Sequence, residues 1–591
     1  MSNSILIKTV RVNGFRGLEN FEVPLEPTTV LTGMNNVGKT SFLKALQIAL
    51  GSRQFISQDD FFIKDDVPSN KIIIDLLIVP INSTNEIDSV FSDDWESLLT
   101  TDRIKFDEDT NSIVPLRTIV KYDPIRGGFT TKQYILDEWK AFAIDVAGVD
   151  TYWHESDNGQ EKSFKFDEMP FFYMDAQRDI LEDIKLKKSY LGKMISQIKY
   201  SPEAILEIEE KIKELNESAV QDSEILTTLK TTLEELDSAM GSNSEHIEIT
   251  PFTKKIRDLN KGLTIYYGDS HMEYHGMGTR SWSSLLTLKS FIELLKINAI
   301  AEDTPFFPIV AIEEPEAHLH PNAQKKLYSQ INTIVGQKII STHSPYIAAT
   351  AKIEEVRNFY KNDTVECGQI NIGELAAEDI RKINRQVINT RGEIFFSKCL
   401  VLFEGETEEQ ALPIFFDKYF GKTSVELGVD FVGVGGYGNY LPFIRFAEYL
   451  KIPWIILSDN DQNGTVKTSV KKQFVDSGTT KIENDSIIFL DTDCDFERQL
   501  INDGYIEDIK EVLISLRTYS NPQHEAAQKP NDIIEITAYQ NEEVYDVITK
   551  AKTKFAPVIS TYLVENDKDI PSKVINLFEK VNTILNLEEP E

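Results

Sequence analysis

Residues Gly33-Met-Asn-Asn-Val-Gly38-Lys39-Thr40 match G-x-x-x-x-G-K-[ST], with the apolar run TTVLTG leading into them and SFLKALQIALG behind. A strand, a glycine loop and a helix in that order leave few folds open. The loop must curl until consecutive backbone N–H groups face one point, which glycine permits, and the following helix adds its partial positive charge there. The expected ligand is a nucleotide held by Gly33, Asn36, Gly38, Lys39, Thr40 and Ser41. Lys39 would reach the β- and γ-phosphates, and the Thr40 hydroxyl would ligate Mg²⁺. An α/β domain is expected around this loop. At 591 residues the chain has room for two to four domains.

A P-loop predicts an acidic strand end elsewhere in the chain, and PFFPIVAIEEPEAHLHP supplies one at Glu313-Glu314. Glu313 would hold the Mg²⁺ shell and Glu314 would polarise the attacking water. Asp is the usual residue at the first position, so Glu313 is a departure. Downstream, QKIISTHSP is a further apolar strand, ending in His343 where it could sense the γ-phosphate. Between them Gly276-Met-Gly278-Thr-Arg280-Ser281 forms a glycine turn ahead of the helix WSSLLTLKSFIELL.

With the opening IKTVRVNGFRGLENF, these motifs resemble the ABC-type ATPases of the SMC/RecF group, over about 1–180 and 246–385. The resemblance implies composite ATP sites formed by two heads. It places Gly278 and Ser281 in the signature segment that contacts the γ-phosphate on the second head, and Gln58 as a lid glutamine. Residues 183–244 take the place of the family's coiled-coil arm. Ile205, Ile208, Ile212 and Leu215 step by 3, 4, 3, as do Leu226, Leu229, Leu233 and Leu236, which predicts two antiparallel helices. Such a hairpin projects only about 40–45 Å, too short for a DNA-tethering arm. A packed helical subdomain and a dimerising hairpin both fit.

A new strand–helix series starts at KCLVLFEGETEEQALPIFFDKY, which puts a boundary near 385–395 and divides the chain into 1–390 and 391–591. Beyond that boundary an apolar strand ends at Glu404, with Glu408 on the helix behind it. IPWIILSDNDQNG ends at Asp459-x-Asp461, and DSIIFLDTDCDFERQLI ends among Asp491, Asp493, Asp495 and Glu497. Carboxylates at the carboxyl ends of successive parallel strands converge on one crevice. They would repel one another unless hard divalent cations, Mg²⁺ or Mn²⁺, lay between them. Two such ions about 4 Å apart can stabilise both oxygens of a phosphodiester displacement.

This pattern resembles the Toprim domain of topoisomerases, primases and certain nucleases. Its glutamate matches Glu404, its DxD matches Asp459 and Asp461, and its glycine turn matches GVGGYGNY. In nucleases of the overcoming lysogenization defect (OLD) family a late K-x-x-F-A-like segment carries a catalytic lysine. In ITKAKTKFAPVIS the match is Lys552, with Lys554 the alternative. An SMC/RecF-like ATPase followed by Toprim is the OLD-family architecture, and the Toprim side resembles the class found beside partner genes, which includes the nuclease subunit of Gabija-type antiphage defence.

The resemblance implies an ATP-regulated, metal-dependent DNA endonuclease. Glu404, Glu408, Asp459, Asp461, Asp495 and Glu497 would serve metal, and Lys552 would neutralise charge on the scissile phosphate. It also implies a homodimer or homotetramer. A UvrD-like helicase is the implied partner, and the reverse transcriptase of a retron system is the alternative. A topoisomerase would need a tyrosine nucleophile, usually on a separate domain, and the 21 tyrosines here are scattered. An ATP-switched DNA-repair clamp with a vestigial Toprim domain is the remaining rival.

Charge sharpens this. The chain carries 62 basic and 95 acidic side chains, a formal charge of −33. Residues 391–591 hold 20 basic and 35 acidic ones, net −15, leaving −18 for the rest. That field excludes a protein that coats nucleic acid indiscriminately, and some of the excess is the carboxylate constellation itself. Three cysteines in no metal-ligand spacing and no apolar run long enough to cross a membrane point to a cytoplasmic protein.

Overall fold

The computed structural model describes residues 4–52, 55–64, 66–142, 152–153, 159–164, 167–198, 200–231, 265–267, 270–361 and 364–587. The chain forms two compact units, Phe166–Gly336 and a larger one made of Met1–Lys165 with Gln337–Glu591.

Among the described residues the larger unit holds three main sheets and a short two-stranded ribbon, Ile63–Lys64 with Val67–Pro68. The first is antiparallel and reads along its path Gln160–Glu161, Gly128–Ile135, Ser112–Asp123, Lys71–Ile81, Ser4–Asn13, Phe21–Pro24. Its long strands are β-branched runs, and Arg117 and Asp75 lock two of them through buried bonds of 2.8 and 2.7 Å. In the second, Thr28–Thr32 lies between Gln337–Ser341 and Val356–Lys361, parallel to both. Thr28–Thr32 is buried at every position, as an interior parallel strand must be. It delivers the chain into the P-loop, and the helix Lys39–Ala49 follows.

The third sheet is all parallel, in the order Val429–Gly433, Cys399–Phe403, Trp454–Ser458, Ile487–Phe489. Helices Glu406–Phe420, Tyr440–Leu450 and Thr465–Asp476 connect successive strands. The chain runs outward to one side from Cys399–Phe403 and then returns to start on the other side. Ligands in open α/β sheets bind where the order reverses in this way. Later helices, among them Asn541–Thr549, Lys552–Glu565 and Ser572–Leu585, build a core with it around Phe403, Phe415, Phe416 and Phe578.

The α/β architecture with a parallel carboxyl-terminal sheet is the one expected. The boundary near 385–395 falls inside the larger unit, among short irregular helical turns. Across it, Asn358 Nδ2 donates to Leu450 O at 2.8 Å and Arg445 pairs with Asp379 at 2.9 Å.

In the smaller unit Phe171–Met174 pairs in parallel with Ile309–Glu313, and a long helix spans Met277–Ala301. The first predicted hairpin helix is present as Pro202–Gln221, but its buried stripe differs from the expected seam. Ile212, Asn216 and Val220 are buried while Leu215 is 53 % exposed. The buried positions step by 4 and 4, so the packed stripe drifts around the helix and away from the predicted 3–4–3 line. A second helical run reaches Thr231, and Leu233 and Leu236 lie outside the described residues. Among the described residues no helix is long and apolar enough to cross a membrane.

Candidate active site

At the reversal point of the parallel sheet, the strand Cys399–Phe403 runs straight into Glu404. The neighbouring strand Trp454–Ser458 runs into Asp459, Asn460 and Asp461. The Ser458 hydroxyl donates to Glu404 Oε1 at 3.2 Å, and the Tyr437 and Asp459 backbones also hydrogen-bond the Glu404 carboxylate. The glycine turn closes over the same point. Gly435 and Gly436 adopt φ of +74° and +111°, and Gly436 N donates to Glu404 O at 3.1 Å. Asn460 turns inward to bond Leu490 O at 3.1 Å and Cys494 O at 2.9 Å. Pinning the middle residue in this way leaves the flanking aspartates facing the crevice.

Not every acidic residue of the fourth strand's loop belongs here. Asp491 pairs with Lys573 at 3.0 Å and Asp493 is exposed. Asp495 and Glu497 are buried at the start of the helix Phe496–Asn502. Lys552 Nζ bridges these two, 3.2 Å from Asp495 Oδ2 and 2.8 Å from Glu497 Oε2. Thr407 holds the other Glu497 oxygen at 2.6 Å, and Tyr545 bonds Asp495 at 2.9 Å. Lys554 lies over the Phe555 ring instead, so of the two candidate lysines the one at the carboxylates is Lys552.

The electrostatics are those of an uncompensated acidic site. Burial pushes Glu404 up to about 7, with the Asp461 charge adding to it. Burial also raises Glu408 to about 7, helped by Glu497 and Glu404 and opposed by Lys552. Asp459 is raised well above the usual carboxylate range by burial and by Glu408, Glu404, Asp495 and Asp461 together. Asp461 and Glu497 are raised too, first by burial and then by Asp495. Lys552 is held charged by Glu497 and Asp495, against the effect of its own burial.

Asp459 Oδ1 and Asp461 Oδ1 are cut off from solvent and have no hydrogen-bond partner. An ionised buried oxygen in that condition is costly unless a cation faces it. The donor set is oxygen throughout, which suits a hard divalent ion. Among the described residues no three such side chains stand close enough to share an ion as they are. Lys552 meanwhile holds Asp495 and Glu497 to itself. The residues therefore fit a divalent cation in chemistry and leave the closing of the ligand shell to its arrival.

This has a measurable consequence. In the metal-free fold Glu404 and Glu408 keep protons up to about pH 7 that an unfolded chain releases near 4.5. The folded state binds more protons across that window, so its stability falls as pH rises from 4.5 to 7. In EDTA the melting temperature should drop between about pH 5 and 8, and added Mg²⁺ should restore more of it at the higher pH. A melting temperature in EDTA that is flat across this range contradicts the assignment.

In the larger unit the P-loop takes the strained turn its motif demands. Gly33 has φ +117°, and a Cβ there would lie 2.1 Å from Phe359 O. Asn36 and Gly38 are also left-handed, and Gly38 caps the following helix. The Lys39 ammonium folds back onto Gly33 O at 2.6 Å and Met34 O at 2.7 Å. His343 is pushed down to about 4 by burial and by the Lys39 charge, so it is neutral at physiological pH. Gln58 sits exposed on a turn whose Asp60 is paired to Arg16 at 2.9 Å.

In the smaller unit Glu313 is buried at the end of its strand and accepts a hydrogen bond from the Tyr173 hydroxyl. Glu314 follows at φ +42°. Arg178 braces this acidic turn through Glu313 O, Glu314 O and Pro315 O at 3.1, 3.3 and 2.8 Å. Gly278 lies against His318 O, where a Cβ would come within 2.5 Å, and Ser281 is buried with its hydroxyl unpartnered.

Several of these residues carry no sequence signal. Tyr173, Arg178, Asn358 and Tyr545 sit in no motif, and their roles depend on long-range packing. Ser458 and Thr407 are adjacent to the acidic motifs, and proximity alone marks them.

Comparison with known proteins agrees with this geometry. Residues 6–348 match a family described as AAA ATPase domain. Residues 395–461 match the overcoming lysogenization defect protein-like TOPRIM domain. An OLD nuclease of Thermus scotoductus is 23% identical over 499 residues, 77% of this chain and 82% of that protein. The endonuclease GajA of Bacillus cereus (strain VD045) is 24% identical over 494 residues, 76% and 74% of the two chains. More than half of the chain is thus covered by the ATPase family, and Glu404, Asp459 and Asp461 fall inside the Toprim match. The chain belongs to the AAA ATPase-domain family and joins to it an OLD-like Toprim domain.

Proposed function

We propose that this protein is an ATP-regulated, divalent-metal-dependent DNA endonuclease that acts in antiphage defence. One observation carries the reading. Glu404, Asp459 and Asp461 project from the ends of two adjacent parallel strands at the reversal point, their charges uncompensated, while Lys552 stands among the carboxylates beside them. A structural acidic cluster would be paired off, as Asp491 is with Lys573.

On this reading Glu404, Asp459 and Asp461 hold Mg²⁺ or Mn²⁺, with Glu408, Asp495 and Glu497 completing or orienting the set. Bound there, the ions supply Lewis-acid stabilisation of the phosphodiester and a more acidic water. Lys552, tied to Asp495 and Glu497 at rest, is a cation placed to offset charge on the scissile phosphate. Ser458 and the glycine turn fix the Glu404 carboxylate so that ligation costs little side-chain entropy.

The P-loop residues Gly33, Asn36, Gly38, Lys39, Thr40 and Ser41 bind ATP with its own Mg²⁺. Glu313, Glu314 and His343 serve hydrolysis, and Gln58, Gly278 and Ser281 contact nucleotide when heads pair. Residues 1–390 form the ATPase domain and 391–591 the nuclease domain. The protein works in the cytoplasm as a homo-oligomer through its heads and helical insert. The exposed Leu215, Ile225 and Leu229 on that insert favour this. Its relationship to GajA favours the defence role.

Supercoiled plasmid tests the reading. The wild-type protein should convert it to nicked or linear product with Mg²⁺ or Mn²⁺ and stop in EDTA. No cutting in either ion, with ATP or without it, would instead favour an ATP-switched clamp with an inert Toprim domain.

A further inference from the structure

A cavity of about 660 Å³ lies against the P-loop, lined by Gly33–Val37 on one side and by the carboxyl-terminal domain on the other. Lys398 immediately precedes the strand Cys399–Phe403, and Lys451-Ile452-Pro453 precede Trp454–Ser458, so the cavity meets the end of the parallel sheet opposite the carboxylates. Its size is that of a small-molecule site.

The lining chemistry is one-sided. Lys361, Lys398 and Lys451 all border the cavity, and among the described residues no carboxylate does. Among the described residues none of these three ammonium groups is placed in an ion pair or side-chain hydrogen bond. The Lys398 stem is seated against Gly428, where a Cβ would meet its Cγ at 3.1 Å, and Lys451 is fixed in the left-handed region at φ +59°. In a chain of formal charge −33, three lysines with no acid between them among the described residues make a local positive field. Ile452, Pro453, Ile584 and Leu585 give the wall an apolar stretch, and Asn35, Ser397 and Asn586 are among the polar residues that line the remainder.

The cavity is not the phosphate cradle of the P-loop. Gly38, Lys39 and Thr40 do not line it, and the Lys39 ammonium is turned onto its own loop. It does touch a contact between the P-loop strand and the carboxyl-terminal half. Asn358, buried in its wall, accepts from Thr32 Oγ1 at 3.0 Å and donates to Leu450 O at 2.8 Å. That joins the strand entering the P-loop to the last residue of the helix Tyr440–Leu450. The other end of this helix follows the glycine turn over Glu404.

We propose that this cavity is a second nucleotide site, separate from the P-loop cradle, that takes a nucleoside phosphate with its phosphates on Lys398 and Lys451 and its base on the apolar wall. A ligand there contacts the outer face of the P-loop and the nuclease domain at once, so its occupancy can bias both. The binding claim stands apart from the nuclease reading, and only its regulatory consequence rests on it.

Equilibrium dialysis of the full-length protein with ATPγS separates the sites. Wild type should bind one molecule at the P-loop and a second in the cavity, and Lys39→Ala should keep the second. Combining Lys398→Gln with Lys451→Asn, the latter tolerated at positive φ, should weaken the second site by about tenfold or more, the scale of losing two charge-assisted contacts. Lys39→Ala should also be titrated with GTP, CTP and UTP. Failure of that variant to bind any of the four overturns the proposal. So does a double variant that loses affinity for single-stranded DNA while its nucleotide binding is unchanged, which would give the lysines to nucleic acid. Two-site binding by a protein that cuts no plasmid would sink the nuclease reading and leave this one standing.

Discussion

Asp459→Asn should lower plasmid cleavage by at least about a thousandfold, roughly 4 kcal/mol of lost transition-state stabilisation. The substitution keeps the volume and most of the shape of the side chain and removes only the charge. Asp459 Oδ1 has no protein partner, so no hydrogen bond is broken with it. The metal-free protein should in fact gain stability. Glu408, Glu404, Asp495 and Asp461 all oppose the Asp459 charge, and a neutral amide relieves that repulsion. The expected signature is therefore a dead nuclease whose melting temperature in EDTA at pH 8 is unchanged or higher. A variant that is both inactive and several degrees less stable would point to structural damage.

Lys39→Ala is expected to abolish ATP hydrolysis, to below about one hundredth of the wild-type rate, because the charge facing the transferred phosphate is lost. The buried Lys39 ammonium also satisfies Gly33 O and Met34 O. Leaving those two carbonyls bare costs about 1–3 kcal/mol. A modest loss of stability should therefore accompany the loss of hydrolysis, measured by thermal melt beside a phosphate-release assay. Removing Lys39 also removes a positive neighbour of His343, so the imidazole should titrate nearer its ordinary value by NMR. Plasmid cutting by this variant should lose the part of its ATP response that depends on hydrolysis. Unchanged hydrolysis would remove the P-loop assignment.

The catalytic half of the molecule was legible wherever function is tied to backbone position. A strand that runs into Glu404 and a neighbouring one that runs into Asp459-x-Asp461 must place those side chains at one sheet edge, because the register Leu400↔Trp454 is set by apolar packing. The glycine turn was legible for the same reason, since only glycine serves at φ near +110°. Composition and spacing alone do not separate Asp491 and Asp493 from Asp495 and Glu497; the family resemblance singles out the latter two. All four sit in one acidic run, and in the fold the placement of Lys573 and Lys552 divides them. The helical insert showed the opposite limit. Its 3–4–3 leucine and isoleucine spacing reads as a coiled-coil seam, yet the helix buries Asn216 and Val220 and leaves Leu215 out. Residues such as Asn358, Arg178 and Tyr545 act through contacts far apart in sequence, and no local pattern announces them.

The central claim is that the carboxylates at the end of the parallel sheet cut DNA. The most direct test runs wild type and Asp459→Asn side by side on supercoiled plasmid with Mn²⁺, with ATP hydrolysis measured on the same preparations. The account predicts that Asp459→Asn hydrolyses ATP as wild type does and leaves the plasmid supercoiled. Equal cutting by the two proteins would contradict it.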